Sequence, residues 1–217
     1  MSLSKFTDRD AIDSWTSGLD QEWPERIPVS KTVIHTLTEW LRKDICRLKP
    51  LEKIRILELG IGTGQLANTV LDNFAAIKPG LVEYIGIDIE PALIRNTKEK
   101  LVSAGHRNIQ FFQTDLKDYS WIDKVHNVHA VFSLQTFHDL GGVDALEKLY
   151  REIYRILFPG GILVNADFVI PFKKDNPVQP RRLPIEIHHN LLSRLNFFNF
   201  KCEIQAGKMA CMSAQRC

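Results

Sequence analysis

Four cysteines in 217 residues, none in a Cys-x-x-Cys pair, leave this chain without the spacing that structural zinc or a redox dithiol uses. Cys46, Cys202, Cys211 and Cys217 stand far apart or in the tail. Reduced thiols in a cytoplasm, and no metal site, are therefore expected. No apolar run approaches the roughly 20 residues that span a bilayer. The opening residues, MSLSKFTDRDAIDSW, are polar where a secretory leader is apolar. A soluble, intracellular protein with no membrane partner is the expectation. An excess of one charge is missing too: 28 Lys and Arg face 26 Asp and Glu, a formal net charge of +2. That balance gives no global field of the kind a non-specific nucleic-acid binder uses. Only Lys173, Lys174, Arg181 and Arg182 make a local basic stretch. Repeats and low-complexity tracts are absent as well.

What is present is an ordinary globular composition, 44% apolar and 25% charged, long enough for one buried core and a modest appendage. Residues 1–50 read as helical. Ser30 is placed as an N-cap, and Val33, Ile34, Leu37, Leu41, Ile45 and Leu48 recur at helical spacing until Lys49-Pro50 stops the run. Upstream, WTSGLDQEWPERIP suggests a short helix and a bent connector.

From residue 51 onward, short β-rich runs alternate with helical ones, the signature of βαβ units and a parallel sheet covered on both faces. RILEL, YIGIDI, IQFFQTD, HAVFSLQ and GILVNADFVI read as strands. QLANTVLDNFAAI is a helix with Leu66, Val70 and Phe74 on one side. PALIRNTKEKLVSAG is another, opened by Pro91, ended by Gly105, and turning Ile94, Leu101 and Val102 to the sheet. After a helix around IEIHHNLLSRLNF, the rhythm breaks: FKCEIQ and MACMSAQ, joined by Ala206-Gly207-Lys208, read as a β-hairpin. The predicted fold is α/β: a doubly wound, mostly parallel seven-stranded sheet with a C-terminal antiparallel hairpin and helices on both faces, preceded by residues 1–50 as a helical segment.

In such a sheet, ligands bind beyond the carboxyl ends of the strands. There the sequence reads ILELGIGTGQLA, Ile56 to Ala67. Gly62-x-Gly64-x-x-Ala67 fits a dinucleotide loop, and Glu58-x-Gly60-x-Gly62-x-Gly64 fits a different cofactor cradle. Either way the glycines let backbone approach a ligand closely. Asp88 ends the second strand, where a carboxylate can accept both ribose hydroxyls. Asp115 ends the third, where it can accept an adenine amine while Leu116 offers a backbone N–H. Each acid can equally be a helix cap.

Taken together, ELGIGTG, IGIDIEP, FFQTDL, VFSLQTFHDL and ILFPGGILVNADF, with the terminal hairpin, resemble the class I S-adenosylmethionine-dependent methyltransferases over Ile54 to the C-terminus. The resemblance implies S-adenosylmethionine as cofactor and S-adenosylhomocysteine as product. It implies that Gly60, Gly62 and Gly64 hold the methionine part with Glu58 near its ammonium, and that Asp88 and Ile89 hold the ribose and one adenine face. Asp115 and Leu116 then read the adenine edge, and the main chain around Ser133 and Leu134 borders the methionine. Phe158-Pro159-Gly160-Gly161 matches a loop of architectural use.

His138 stands where many small-substrate relatives carry a histidine, and its near-neutral pKa suits a general base. Asp139 and Asp167 are candidates to orient it. His126, His129, His188 and His189 match no motif position and read as surface or packing residues. The same resemblance implies that residues 1–50 act as an N-terminal helical lid bringing Trp15, Trp23 and His35 to an acceptor pocket; the loop VIPFKKDNPVQPRRLP is expected to form its other wall.

After strand four the sequence reads SLQT, with neither an Asn-Pro-Pro-aromatic motif nor a Pro-Cys pair, which argues against base-flipping nucleic-acid enzymes. The expected partner is a small-molecule acceptor methylated on oxygen, nitrogen or carbon, with no nucleic acid, by a monomer or homodimer. Three alternatives stay open: a protein or RNA methyltransferase docking through the basic stretch, an NAD-dependent oxidoreductase, and a non-catalytic cofactor-binding subunit.

Overall fold

The computed structural model describes residues 9–44 and 53–217. Seven strands form one sheet: β1 (Ile54–Leu59), β2 (Val82–Asp88), β3 (Ile109–Gln113), β4 (Val128–Leu134), β5 (Leu157–Phe168), β6 (Phe197–Ala206) and β7 (Met209–Arg216). Their order across the sheet is β3-β2-β1-β4-β5-β7-β6. The first five are parallel, and β7 runs antiparallel to both β5 and β6. The expected mixed sheet is the one that forms.

Strand periodicity sorts the core into two layers. On β1, Ile54 and Ile56 join one buried cluster while Leu57 and Leu59 join the other, as a period of two requires. Helices α2 (Arg26–Asp44) and α3 (Gln65–Ile77) supply the first cluster, with Leu101 of α4 (Pro91–Ser103). Helices α5 (Val143–Ile156) and α6 (Ile185–Arg194) supply the second. Leu66, Val70 and Phe74 of α3 face inward as expected, and truncating Phe74 to alanine would cost about 3–5 kcal/mol. On α4, Leu101 is fully buried and Ile94 packs against the core, whereas Val102 is 42% exposed and turns away.

Several expectations are corrected. The helix placed at Ser30 starts at Arg26, so Ser30 lies inside α2 and donates its hydroxyl to Ile27 O at 3.0 Å. Val29, Val33, Leu37 and Leu41 are buried against the sheet, so α2 is a structural layer of the core. Only α1 (Arg9–Glu22), the connector after it and the first residue of α2 reach the cavity described below. Ile45, Leu48, Lys49-Pro50 and Cys46 lie outside the described residues.

Phe158-Pro159-Gly160-Gly161 is part of β5, which follows α5 directly. The register with β4 jumps from Val128↔Leu157 to Ala130↔Ile162, so the additional residues bulge. A Cβ on Gly161 would stand 2.7 Å from Phe158 O and 2.9 Å from His129 O, which is why glycine sits there. The terminal hairpin turns on Gly207 and Lys208 between the paired Ala206 and Met209. That turn leans on the α1–α2 connector, where Glu25 Oε1 accepts the Lys208 N–H at 3.2 Å.

Among the described residues no helix is long and apolar enough to cross a membrane, and no group of His, Cys, Asp and Glu side chains is arranged to hold a metal ion.

Candidate active site

The strand order turns back between β1 and β4, since β1 leads to β2 on one side and β4 to β5 on the other. Loops leaving such a switch point diverge and open a crevice at the carboxyl ends. A cavity of about 1050 Å³ lies there, at the top of the roughly 300–1,000 Å³ usual for small-molecule sites.

One half is built from the loop after β1. Gly60, Gly62 and Gly64 have φ of +75°, +51° and +72°, a region that side chains other than glycine rarely enter. A Cβ on Gly60 would stand 2.6 Å from Thr136 Cγ2, because the loop after β4 crosses close above it. On Gly64 it would stand 2.6 Å from Thr97 Cγ2 of α4. On Gly62 it would meet nothing within 4 Å, so bare backbone lines the cavity there. Helix α4 fixes this loop from behind: Thr97 Oγ1 donates to Gly62 O at 3.2 Å and Lys100 Nζ to Thr63 O at 2.8 Å.

Glu58 continues the β1 face that carries Ile54 and Ile56. Its carboxyl is buried, and Oε2 accepts the Tyr84 hydroxyl from β2 at 2.6 Å. Burial pushes the Glu58 carboxyl up to about 8; the Tyr84 bond opposes this and the Asp88 charge adds to it. Asp88 ties two loops together, Oδ2 accepting the Gly62 N–H at 3.1 Å and Oδ1 the Glu90 N–H at 2.9 Å. Burial raises the Asp88 pKa against those N–H bonds. Glu90 caps α4 by accepting the Ala92 N–H at 3.1 Å.

Ile89, apolar and 47% exposed, faces the cavity with Asp115 and Leu116. Asp115 Oδ1 also accepts the Lys117 N–H at 2.9 Å, a local turn bond. Leu134 lines the cavity; Ser133 does not, its hydroxyl donating to Leu59 O at 2.7 Å and stitching β4 to β1.

The other half holds His138, in a 3₁₀ turn after β4. Its Nδ1 meets Asp167 Oδ1 of β5 at 2.7 Å, and its main-chain N–H donates to Asp167 Oδ2 at 2.9 Å. Burial opposes charging the imidazole, but the Asp167 carboxylate outweighs it, and the His138 pKa is raised. Burial likewise opposes charge on Asp167, and His138 with two backbone N–H groups overrides it, so the Asp167 pKa is lowered. Asp139 has a different position: exposed, 3.6 Å from His138 Nε2 and ion-paired with Arg181.

Trp15 and Trp23 line the cavity, whereas His35 is exposed on α2 and does not. His129 and His188 are packing residues: Nδ1 of His129 accepts the Arg55 N–H at 3.1 Å, and that of His188 meets the Tyr150 hydroxyl at 2.7 Å. His126 is exposed, and so is His189, whose ring stacks on Phe200.

Phe172, Lys174 and Arg182 of the segment VIPFKKDNPVQPRRLP line the cavity, whereas Phe168, Gln135 and Arg26, which line it too, are not singled out by the sequence. Trp23 stacks on Phe172 at 5.0 Å and meets Phe168 edge-on at 4.9 Å; His138 meets Phe168 at 5.3 Å. Arg26 donates to Gln135 Oε1 at 2.7 Å and to Asp20 Oδ1 at 2.6 Å. Within the basic stretch Arg182 is buried against Asp175, Arg181 is exposed and pairs with Asp139, Lys174 lines the cavity, and Lys173 is exposed.

Residues 56–161 match a family model described as a methyltransferase domain. A demethylmenaquinone methyltransferase of Bacteroides fragilis is 28% identical over 160 residues, covering 70% of this chain and 61% of that protein. Its counterpart from Thermus thermophilus is 30% identical, over 62% of this chain and 56% of that one. The chain thus spans about three fifths of the length of these relatives. The crystal structure of the DszA carbon methyltransferase superposes with a TM-score of 0.71 at 19% identity, covering 86% of this chain and 53% of that one.

Proposed function

From a chain that carries a class I S-adenosylmethionine-dependent methyltransferase domain, we propose transfer of a methyl group to an oxygen, nitrogen or carbon of a small, partly apolar metabolite, with His138 as general base. The observation that carries this reading is the His138–Asp167 pair, set at 2.7 Å on the wall of the same cavity that the glycine loop enters.

The cradle suits the cofactor on two counts. Gly62 presents backbone with open space where a side chain would stand, and Glu58 keeps a buried carboxyl whose Oε2 has Tyr84 as its partner. In this reading Gly60, Gly62 and Gly64 hold the methionine part, Glu58 its ammonium, Asp88 the ribose, and Ile89, Asp115 and Leu116 the adenine. Leu134 borders the methionine. S-adenosylmethionine supplies a methyl carbon already activated by its sulfonium.

The protein's contribution is alignment and proton removal. Trp15, Trp23, Phe168 and Phe172 enclose an apolar acceptor and exclude water, and such positioning is worth on the order of 7–11 kcal/mol of barrier lowering. Asp167 holds the proton on His138 Nδ1, which leaves the Nε2 lone pair for the acceptor's proton as the new bond forms. The roles of Ser133, His35 and Asp139 shrink accordingly: Ser133 fastens strands, His35 is remote, and Asp139 stands at the rim.

Calorimetry tests the reading. S-adenosylmethionine and S-adenosylhomocysteine are expected to bind, with strong weakening in Asp88→Ala. NAD binding with no response to either would overturn it. Incubation with a host metabolite extract is expected to yield S-adenosylhomocysteine and a methyl-sized mass gain on one metabolite; tight binding without either product would favour a non-catalytic role.

A further inference from the structure

We propose that the acceptor is a carboxylate-bearing small molecule, anchored by the Arg182 guanidinium while its methylated atom faces His138. The inference rests on the methyl-transfer reading and adds the substrate class.

Arg182 walls the cavity with a side chain only 10% exposed. Asp175 Oδ1 takes its Nη1, and Asp175 is itself pinned, Oδ2 accepting the Phe172 N–H at 2.7 Å. The guanidinium carbon sits 3.8 Å from the Phe172 ring centroid and 5.5 Å from that of Phe168. Nε is buried with no hydrogen-bond partner, and among the described residues nothing pairs with Nη2. A guanidinium cannot shed its charge, so its buried donors stay in need of an acceptor. With Nη1 engaged and Nε closed off within the wall, Nη2 is the donor left open to a carboxylate oxygen.

The surroundings favour an anion. Lys174 lines the same wall and leans on Phe172 at 6.0 Å, and Lys208 leans on that ring at 4.7 Å. Neither has a carboxylate within ion-pair reach among the described residues. The nearby acids are engaged, Asp139 by Arg181 and Asp20 by Arg26; Glu22 lies exposed on α1. Phe168 neighbours both groups, with the guanidinium carbon and the His138 ring 5.5 and 5.3 Å from its centroid, and the aromatic wall suits an acceptor with an apolar body.

The test is calorimetry on the whole chain saturated with S-adenosylhomocysteine, using benzoate as the carboxylate probe and benzamide as its neutral isostere. Benzoate is expected to bind at least roughly tenfold more tightly, an advantage lost in Arg182→Gln and reduced a few fold in Lys174→Gln. Lys174 is exposed, so its variant answers the question even if Arg182→Gln fails to fold, and S-adenosylhomocysteine affinity reports folding in both. Equal binding of the probes, no binding of benzoate, or benzoate binding indifferent to both substitutions would overturn the inference. If turnover of a neutral acceptor accompanies those results, the methyl-transfer reading stands alone. Failure of the wild-type chain to bind S-adenosylhomocysteine overturns both.

Discussion

Asp167 grips His138 at two points: Oδ1 takes the imidazole Nδ1 at 2.7 Å, and Oδ2 takes the main-chain N–H at 2.9 Å. A third bond, from the Phe168 N–H to Oδ1 at 2.7 Å, fixes the carboxylate itself. Ring orientation and backbone position are thus set by one buried group. The pairing follows from topology, since β4 and β5 are parallel neighbours and both deliver their carboxyl ends to the cavity.

The pH dependence of turnover follows. A general base works when neutral, so activity falls as pH drops through the His138 pKa, which lies above the ordinary 6.5. The acidic limb of kcat/KM is therefore expected above 6.5. In Asp167→Asn burial acts without the opposing carboxylate, and the limb should move down while the rate falls. His138→Ala should cost roughly 10²–10⁴-fold. An acidic limb that stays in place in Asp167→Asn would show that some other group titrates. On stability the signs are opposite for the two partners. The raised His138 contributes most below the unfolded value of 6.5 and loses this as pH rises through its folded pKa; the lowered Asp167 contributes above 3.8 and loses this on acidification.

Glu58 gives a second, independent titration. Its carboxyl holds a proton up to about 8 in the folded chain, against 4.5 as its ordinary value. Between those values the folded chain binds more protons than the unfolded one, so this group's contribution, full below 4.5, is lost as pH rises to about 8. Glu58→Gln should therefore be more stable than wild type at pH 8, by on the order of a few kcal/mol, and similar near pH 4.5. An ammonium placed beside the carboxyl would drive the proton off. Calorimetry of S-adenosylhomocysteine in buffers of different ionisation enthalpy should show close to one proton released at pH 7, and none in Glu58→Gln. Tyr84→Phe removes the bond that lowers this pKa, so release should persist to higher pH. Buffer-independent heats in the wild type would refute the linkage.

Much of this was legible in the letters because period and punctuation are local. The strands, the hairpin, the glycine loop, Asp88 and His138 are each written within a few residues of themselves. What stayed hidden depends on neighbours across the sheet. Glu58 meets Tyr84 because β1 and β2 pair Ile56 with Tyr84, a register no local pattern declares. Ser133, Asp139 and Asp167 are all polar residues near strand ends. Only pairing shows that Ser133 turns to Leu59, that Asp139 goes to Arg181, and that Asp167 alone clamps the imidazole. Helix α2 read as a cover because its buried stripe, Val29 to Leu41, is the same whether it meets a sheet or a lid partner. Arg182 read as one cation of a basic stretch within a wall loop, and its burial depends on Asp175 and two aromatic rings.

Trp23 tests the acceptor wall. It stacks on Phe172 and meets Phe168 edge-on, and the α1–α2 connector carries it to the cavity. Trp23→Ala should raise KM for the acceptor by roughly tenfold or more while S-adenosylhomocysteine affinity changes little. Equal losses in both affinities would mean that the residue holds up the fold rather than the acceptor.

The glycine loop separates two costs at one position. Gly64 takes φ of +72°, and a Cβ there would stand 2.6 Å from Thr97 Cγ2 and 2.7 Å from Oγ1. Gly64→Ala thus adds strain from the left-handed backbone, about 1–2 kcal/mol, to a clash that Thr97 can relieve only by moving. Thr97 is fully buried and its hydroxyl bonds Gly62 O at 3.2 Å, so that movement disturbs the cradle itself. Gly64→Ala should lower Tm and weaken S-adenosylhomocysteine. Adding Thr97→Ala removes the two closest contacts but leaves the residue 97 Cβ 2.9 Å away, and it relieves neither the strain nor the loss of the Gly62 bond, so the double variant should recover part of the Tm and little of the affinity. Gly62→Ala is the contrast: with nothing within 4 Å of its Cβ, only the φ of +51° resists it in the free chain, and the methyl projects into the cavity. It should cost little more than the backbone strain in Tm while ligand affinity falls further than in the Gly64 variant. If instead Gly62→Ala binds S-adenosylhomocysteine as the wild type does, the backbone at Gly62 is not the surface that meets the cofactor.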